Sequence, residues 1–180
     1  MKKVIILCSG GLDSVVCAHY VNRLNYDKLI IIFFNYGQNA LINERKFSKN
    51  MARDINADFL EIKIDFFQNS HLTQIKKFKK ITRKNLKNSL SESKKFYLPN
   101  RNGIFISYAI SIADKINGAD IFLGFNSEGQ EAYSDATKKF VDKMNALMKV
   151  LKINGKIKCP FINKVYIMGR TSSWVIGGFM

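Results

Sequence analysis

Apolar runs alternate with amphipathic segments in the first third of the chain. The runs at Lys3–Cys8 and Lys28–Phe34 are almost continuously apolar, which is typical of strands covered on both faces of a sheet. The segments that follow them, Asp13–Leu24 and Leu41–Asn56, space their apolar residues as helices do. A third strand is predicted at Phe59–Ile64, where apolar and polar residues alternate. This order predicts an α/β fold with a doubly wound, mostly parallel sheet.

The same alternation resumes in the second half of the chain. A helix is predicted from Gly103 to about Asn117, and a fourth strand follows at Asp120–Phe125. The next helix spans about Thr137–Leu151, and a short last strand is predicted at Ile157–Phe161. Because ligands bind beyond the carboxyl ends of the strands in open α/β sheets, we expect polar groups after strands one, two and four to form a site.

Two segments interrupt this alternation. Residues 68–97 are rich in Lys, Arg, Ser and Asn and have weak periodicity, which predicts a mobile or partly helical basic insertion. Its aromatic residues Phe78 and Phe96 would either stack on bases or pack against the body of the protein. After the last strand, Asn163–Ile167 is a candidate helix, which Gly169–Ser173 soon interrupts.

Length and composition narrow the class of protein. At 180 residues, the chain suits one domain spanning 1–180 with its own core. The apolar run after the N-terminal Met-Lys-Lys is too short for a signal peptide, and no run approaches a membrane span, so we expect a cytoplasmic protein. Its three scattered cysteines form neither a disulfide framework nor a self-contained zinc site.

The net charge of +15 has two interpretations. One is contact with RNA or DNA, since basic proteins neutralise phosphates. The other is compositional, because Lys, Asn and Ile are abundant throughout the chain, as an AT-rich coding sequence would produce. Charge alone predicts solubility and non-specific binding rather than a fold.

The segment between the first strand and the first helix carries the clearest candidate chemistry. Its sequence from Ser9 to Ser14 is Ser-Gly-Gly-Leu-Asp-Ser. A tight glycine turn before a helix presents free backbone N–H groups and the positive end of the helix dipole, which suits phosphate. Asp13 would cap N–H groups or hold a magnesium ion. The alternative is an ordinary strand-to-helix turn, in which glycine and serine are common.

This string resembles the pyrophosphatase loop of the ATP-pyrophosphatase (PP-loop) superfamily, whose pattern is Ser-Gly-Gly-x-Asp-Ser. It lacks the Gly-Lys-Ser/Thr ending of a Walker A loop. The resemblance implies an adenine nucleotide alpha hydrolase-like fold. It also implies that ATP is cleaved to AMP and pyrophosphate while AMP is placed on an oxygen of the substrate.

Three further strings narrow the resemblance. They are Phe-Phe-Asn-Tyr-Gly-Gln at 33–38, Leu-Pro-Asn-Arg-Asn-Gly-Ile-Phe-Ile at 98–106, and Gly-Phe-Asn-Ser-Glu at 124–128 with Tyr-Ser-Asp at 133–135. In this order they resemble the 7-cyano-7-deazaguanine synthase family over about residues 1–165. The family implies that 7-carboxy-7-deazaguanine, ATP and ammonia give the nitrile through an adenylated intermediate.

The resemblance, together with the position of each residue in the predicted fold, implies a set of roles. The alternative for Arg101 is a solvated ion pair, and the alternative for Glu128 and Asp135 is that they cap turns and the next helix. We expect ATP, magnesium, a homodimer and no membrane partner, and direct nucleic-acid contact stays open as the less favoured alternative. The expected catalytic residues are Ser9, Asp13, Ser14 and Arg101; the nucleotide-binding residues are Cys8, Ser9, Gly10, Gly11, Leu12, Asp13, Ser14, Val15, Phe34 and Tyr36; the substrate-binding residues are Asn100, Asn102, Glu128, Tyr133 and Asp135.

The sequence departs from the family near its C-terminus. The family carries a zinc site there, built from a cysteine after a Thr-x-Ser-like string and from a later Cys-x-x-Cys-x-x-Cys cluster. Arg-Thr-Ser-Ser-Trp-Val at 170–175 resembles that string, but no cysteine follows it. Ser134 stands where the family has proline. We therefore expect a truncated chain, a zinc-free variant or a protein that has lost activity.

Three functions remain open from the sequence. The first is synthesis of 7-cyano-7-deazaguanine or a close amide relative. The second is another PP-loop adenylating enzyme that acts on tRNA through the basic insertion. The third is a degenerate nucleotide-binding homologue without catalysis.

Overall fold

A computed structural model describes residues 1–66, 98–127, 133–168 and 174–178. No helix among these residues is long and apolar enough to cross a bilayer. The described strands are β1 (Lys3–Leu7), β2 (Lys28–Asn35), β3 (Asp58–Lys63), β4 (Asp120–Leu123), β5 (Ile157–Lys158), β6 (Lys164–Met168) and β7 (Trp174–Gly178), and the described helices are α1 (Leu12–Asn22), α2 (Leu41–Asp54), α3 (Arg101–Lys115) and α4 (Lys138–Val150), with a 3-10 turn at Ser134–Ala136.

Strands β1 to β5 form one parallel sheet in the order β3-β2-β1-β4-β5. The chain moves outward from β1 to β2 and β3, then returns to the other side of β1 to make β4 and β5. Val4 is therefore beside Leu29 on one flank and Asp120 on the other. The strand order reverses between β1 and β4, which is where an open α/β sheet leaves a crevice for ligands. The predicted fold class is confirmed.

Helices cover both faces of this sheet. On one face, α1 and α2 pack against Val4, Ile6 and Ile31. On the other face, α3 and α4 pack against Ile5 and Ile32. Successive side chains of a strand point to opposite faces, so a continuous apolar run such as β1 supplies both cores at once.

The edge of the sheet at β5 is closed by a side chain. The Asn145 Oδ1 atom accepts from the Ile157 backbone N–H at 2.8 Å, and its Nδ2 atom donates to the Ile157 carbonyl at 3.0 Å. A side-chain amide on α4 thus takes the place of a sixth strand and protects an edge that would otherwise attract another chain.

Two regions differ from the sequence-based expectation or lie outside the description. The candidate helix at Asn163–Ile167 is wrong, because Lys164–Met168 forms β6, which pairs antiparallel with β7. The Val-Tyr-Ile sequence at 165–167 explains this, since β-branched and aromatic residues favour strands. The predicted basic insertion at 68–97 lies outside the described residues.

A charged network fastens α2 to the sheet. Arg45 on α2 donates from Nε and NH2 to the Glu61 carboxylate on β3, with contacts between 2.7 and 3.0 Å. Asn35, buried at the end of β2, donates to the same carboxylate at 3.1 Å. These hydrogen bonds, the one from Arg45 above all, lower the pKa of the Glu61 carboxyl. The network fixes α2 relative to the ends of two strands.

Replacing Glu61 by glutamine should reduce stability in a pH-dependent way. A carboxyl whose pKa is lowered in the folded state stabilises the protein above its unfolded pKa of about 4.3, and this contribution is lost as pH falls through the folded pKa. We expect Glu61→Gln to cost about 1 kcal/mol at pH 7, because the lost contact is a partly buried, bidentate ion pair. Urea denaturation at neutral pH and in steps down to about pH 3.5 measures the difference.

Asp54→Asn is the matched control for Glu61→Gln. Asp54 pairs with Arg53 at 3.8 Å, and its side chain is 57% exposed, so its removal should have almost no effect. Equal losses for the two variants, or a Glu61→Gln loss that grows as pH falls, would contradict the role given to this network.

Candidate active site

A cavity of about 370 Å³ opens at the carboxyl ends of β1, β2 and β4. Residues at the carboxyl ends of these strands line it, among them Leu7, Phe34 and Leu123. The loop after β1 forms one side, and the start of α3 forms the other. The cavity therefore occupies the point where the strand order reverses, which is the expected ligand site of this architecture.

The loop after β1 depends on close contact with α2. Gly10 has φ of +76°, a left-handed conformation that favours glycine. A Cβ atom at Gly10 would lie 2.5 Å from the Glu44 carbonyl oxygen and 2.9 Å from the Phe47 Cβ atom. The backbone of α2 thus touches the loop directly, and glycine is required at this position for both conformation and space.

The end of β4 touches the other side of the same loop. A Cβ atom at Gly124 would lie 2.7 Å from the Asp13 carbonyl oxygen and 2.9 Å from the Ser14 nitrogen. The first turn of α1 therefore lies between α2 and the residue that follows β4. This clamp leaves the start of α1 facing the cavity, where backbone N–H groups and the helix dipole favour an anion.

Hydroxyl groups gather at the base of the loop. Ser14 Oγ donates to the Gly11 carbonyl at 2.8 Å and lies 3.4 Å from Ser9 Oγ. The Cys8 thiol donates to Ser14 Oγ at 3.6 Å. The fully buried Ser48 of α2 donates to the Cys8 carbonyl at 2.9 Å. These contacts hold two hydroxyls near the anion-binding end of α1.

Arg101 faces the loop from the first position of α3. Its NH1 atom donates to the Tyr36 hydroxyl at 3.4 Å, and its guanidinium carbon lies 5.8 Å from the centre of that ring. Burial raises the pKa of Tyr36 while Arg101 opposes the shift, so the hydroxyl is neutral at physiological pH. Among the described residues that line the cavity, Arg101 alone has a cationic side chain, whereas Asp13 and Glu44 bring carboxylates.

Gln38 holds the turn that ends β2. Its Oε1 atom accepts from the Tyr36 backbone N–H at 3.0 Å. Its Nε2 atom donates to the Phe34 carbonyl at 2.9 Å and to Glu44 Oε2 at 3.0 Å. Because Gly37 lies at the tip with φ of +83°, the turn is tight and Gln38 reaches back across it. These bonds hold the backbone of Tyr36 at the end of β2.

An aromatic wall lies between β2 and α3. The rings of Phe34 and Phe105 stack with 4.1 Å between their centres and an angle of 5° between their planes. Tyr36 packs against Phe105 at 5.5 Å. This wall joins the start of α3 to the end of β2 and makes one side of the cavity apolar and flat.

The structure brings most of the sequence-predicted site residues to this cavity. Four of the predicted residues do not line it: Gly10 lies against α2, Val15 is in α1, Asn100 precedes α3, and Asp135 lies behind the wall. Asp135 accepts from the Asn102 backbone N–H at 2.9 Å. Glu128 lies outside the described residues. The lining residues among those predicted are Cys8, Ser9, Gly11, Leu12, Asp13, Ser14, Phe34, Tyr36, Arg101, Asn102 and Tyr133.

Several residues of the site carry no sequence-based role. Gly124, Gln38 and Asn126 stand inside the strings that narrowed the resemblance, and glycine at a strand end is itself a signal of close backbone approach. Glu44 and Ser48 follow only from the tertiary position of α2. Further lining residues without a predicted role are Leu7, Ile32, Phe105, Ile106, Leu123, Phe125 and Ala136.

The described residues do not fit a zinc site. No group of three or more His, Cys, Asp or Glu side chains among residues 1–66, 98–127 and 133–163 is arranged to hold a metal ion. Burial raises the pKa of the Cys159 thiol to about 12 and raises that of Cys17 further, which disfavours the thiolates that bind zinc. A magnesium site needs fewer protein ligands, because Mg²⁺ is commonly bound by one or two carboxylates together with substrate phosphates.

The strand order, the loop and the cavity define an adenine nucleotide alpha hydrolase-like protein of the PP-loop class. A solved chain from Methanocaldococcus jannaschii, described as a predicted subunit of a tRNA methyltransferase, has the same fold with a TM-score of 0.52. It is 15% identical, and the match covers 96% of this chain and 72% of that one.

The chain belongs to the family described as queuosine biosynthesis protein QueC, whose family model matches residues 3–170. The curated 7-cyano-7-deazaguanine synthase of Pyrococcus abyssi is 30% identical over 171 residues, which are 90% of this chain and 71% of that protein. The synthase of Campylobacter curvus is 34% identical over 172 residues, covering 91% of this chain and 74% of that protein.

The clamp on the loop predicts different tolerance at its two adjacent glycines. Gly10→Ala should cost about 2 kcal/mol or more, because the new Cβ atom overlaps the backbone of α2 and the conformation is left-handed. Gly11→Ala should change stability by no more than about 0.5 kcal/mol. Gly11 has φ of −74°, and a Cβ atom there meets only Ser9 Oγ at 3.3 Å.

Denaturation by urea in parallel for the two variants measures this difference, with the wild type as reference. If Gly11→Ala were as destabilising as Gly10→Ala, the loop would have a conformation other than the one described. A stable Gly10→Ala variant would likewise be inconsistent with contact between the loop and α2.

Proposed function

We propose that this protein converts 7-carboxy-7-deazaguanine, ammonia and ATP to 7-cyano-7-deazaguanine. The observation that carries the proposal is the cavity itself. It joins the Ser9–Ser14 loop, the end of β2 and the start of α3 at the strand reversal, and the residues around it match the family's strings. The names of the curated relatives support the choice of acceptor.

The first step would place AMP on the acceptor. A carboxylate oxygen of the deazapurine attacks the α-phosphorus of ATP, the bond from that phosphorus to the bridging oxygen breaks, and pyrophosphate leaves. The charge that develops on pyrophosphate would be stabilised by the N–H groups at the start of α1 and by the hydroxyls of Ser9 and Ser14, the second of which would turn its proton from the Gly11 carbonyl to the pyrophosphate. The backbone N–H groups require little rearrangement during the reaction.

The second and third steps would make the amide and then the nitrile. Ammonia attacks the acyl carbon, AMP leaves, and a proton is lost to water. The amide oxygen then attacks the α-phosphorus of a second ATP and releases pyrophosphate. Loss of two N–H protons and cleavage of the carbon–oxygen bond to AMP give the nitrile. The residues would mainly orient the reactants and stabilise charge, as in other phosphoryl-group chemistry.

Arg101 would hold a phosphate or the acceptor carboxylate. Its guanidinium rests on the neutral Tyr36 ring, so the contact with Tyr36 keeps it in the cavity without neutralising its charge. Asp13 lines the cavity beside the phosphate loop and would be the carboxylate that holds magnesium, which would screen the phosphates. The Glu44 carboxylate is already hydrogen-bonded by Gln38.

The reaction is tested with the purified protein, ATP, magnesium, ammonium and 7-carboxy-7-deazaguanine. We expect AMP to form only when the acid is present, and mass spectrometry should detect the amide and then the nitrile. If the acid carries a heavy oxygen isotope in its carboxyl group, that isotope should appear in AMP. AMP formation that requires tRNA instead of the acid would favour the alternative adenylating enzyme, and a folded protein that forms no AMP would exclude both.

Replacing Ser14 by alanine should lower kcat/KM for the acid by roughly 10²- to 10³-fold, the usual effect of removing one hydrogen-bond donor to developing charge, because the Ser14 hydroxyl would turn from the Gly11 carbonyl to the pyrophosphate. Steady-state kinetics of AMP release measures it. Ser111→Ala is the matched control, because Ser111 is an exposed residue of α3 that donates only to the Ser107 carbonyl at 3.1 Å. A Ser14→Ala variant as active as Ser111→Ala would contradict the role given to the loop.

A further inference from the structure

The start of α3 is capped by a residue from another part of the chain. The residue before the helix, Asn100, has φ of +54° and ψ of +27°, and its side chain makes no capping hydrogen bond. Instead, Asp135 Oδ2 accepts from the Asn102 backbone N–H at 2.9 Å. A carboxylate at this end of a helix satisfies an N–H group that has no partner inside the helix and interacts favourably with the dipole.

The carboxylate that makes this cap is held firmly. Asp135 is only 5% exposed and lies in the 3-10 turn between β4 and α4. Thr137 braces the turn from the other side, since its Oγ1 atom donates to the Ser134 carbonyl at 3.0 Å and accepts from the Phe140 N–H at 3.2 Å. The same short turn therefore connects the starts of α3 and α4.

Lining residues of the cavity flank Asp135 on both of the elements that it joins. Arg101 and Asn102 line the cavity from α3, and Tyr133 and Ala136 line it from the turn. Asp135 lies behind them and is not itself a lining residue. Its hydrogen bond thus directly connects the wall that carries Arg101 with the wall that carries Tyr133.

We propose that Asp135 is a positioning residue that acts through Arg101. Its buried carboxylate fixes the first turn of α3 against the turn at 133–137, and so sets the distance between the Arg101 guanidinium and the wall that contains Tyr133. The proposal rests on the proposed function only for the identity of the group that Arg101 binds, a phosphate or the acceptor carboxylate. A misplacement of about 1 Å at such a group is enough to slow a reaction by roughly 10²-fold.

The cap is tested first without any substrate. Amide hydrogen exchange should show the Asn102 N–H protected in the wild type, less protected in Asp135→Asn and exchanging much faster in Asp135→Ala. Asparagine retains an oxygen that accepts the hydrogen bond but loses the charge. An Asn102 N–H that exchanges at the same rate in all three proteins would overturn the cap, whatever the protein catalyses.

The coupling to Arg101 is tested with a double-mutant cycle of Asp135→Ala and Arg101→Met. In the wild-type background, Asp135→Ala should lower kcat for AMP release roughly tenfold to hundredfold, and Asp135→Asn should restore most of that loss. In the Arg101→Met background, the same change should cost less than about threefold, because the residue through which it acts is gone. ATP affinity measured by calorimetry through the same cycle gives the coupling if no AMP is formed.

Asp120→Ala provides the stability-matched control. Asp120 is the first residue of β4, at the end of the strand away from the cavity. It accepts from the Tyr26 hydroxyl and Lys158 Nζ, each at 2.6 Å. Its loss should destabilise the fold while kcat and its dependence on Arg101 stay unchanged.

Three results would overturn the positioning role. Equal losses from Asp135→Ala with and without Arg101 would show that Asp135 does not act through it. A similar loss of kcat in Asp120→Ala would show a general effect of stability. A rise in KM for the acid that Asp135→Asn does not reverse would instead favour the substrate-binding role that the sequence predicts.

Discussion

The contact between Gly10 and α2 determines the shape of the site. No Cβ atom fits between this glycine and the Glu44 carbonyl, so the loop lies directly on the helix. Gly124 makes the equivalent contact with the first turn of α1 from the side of β4. Because both contacts are between backbones, the loop has little freedom to move relative to the sheet. The N–H groups at the start of α1 are therefore preorganised for an anion before any ligand arrives.

The carboxyl and amino ends of the parallel strands lie beside opposite ends of helices α1 and α3. α1 and α3 begin at the cavity and end near the amino ends of the strands, where Lys3 donates to the Ile116 carbonyl just after α3. Cations near helix C-termini offset the negative end of the dipole. Among the described lining residues of the cavity, Arg101 is the cationic side chain. The backbone N–H groups and the dipole of α1 add positive potential at the loop.

Sequence patterns predicted those features that depend on local chemistry. The apolar run at β1 predicted a strand, and the periodicity at α2 predicted a helix. The Ser-Gly-Gly-Leu-Asp-Ser string predicted the position of the cavity. Contacts between segments that are far apart in the chain could not be predicted from sequence patterns. The need for glycine at Gly124 arises only when β4 meets α1, and the tie between Asp135 and Asn102 spans 33 residues. The strand β6 was missed because a following glycine-containing segment suggested an interrupted helix rather than a hairpin.

The starts of α1 and α3 have different tasks although both face the cavity. At α1 the N-cap is Gly11, which has no capping side chain, and the first residues of the helix line the cavity. At α3 the Asn102 N–H already binds the Asp135 carboxylate, which offsets part of the positive end of that helix. At α3 the charge that remains directed to the cavity is the Arg101 guanidinium. The start of α1 thus presents backbone N–H groups to an anion, while α3 presents one cation that is supported by Tyr36. This division suits a reaction in which a fixed pyrophosphate leaves and a changing acceptor must be oriented.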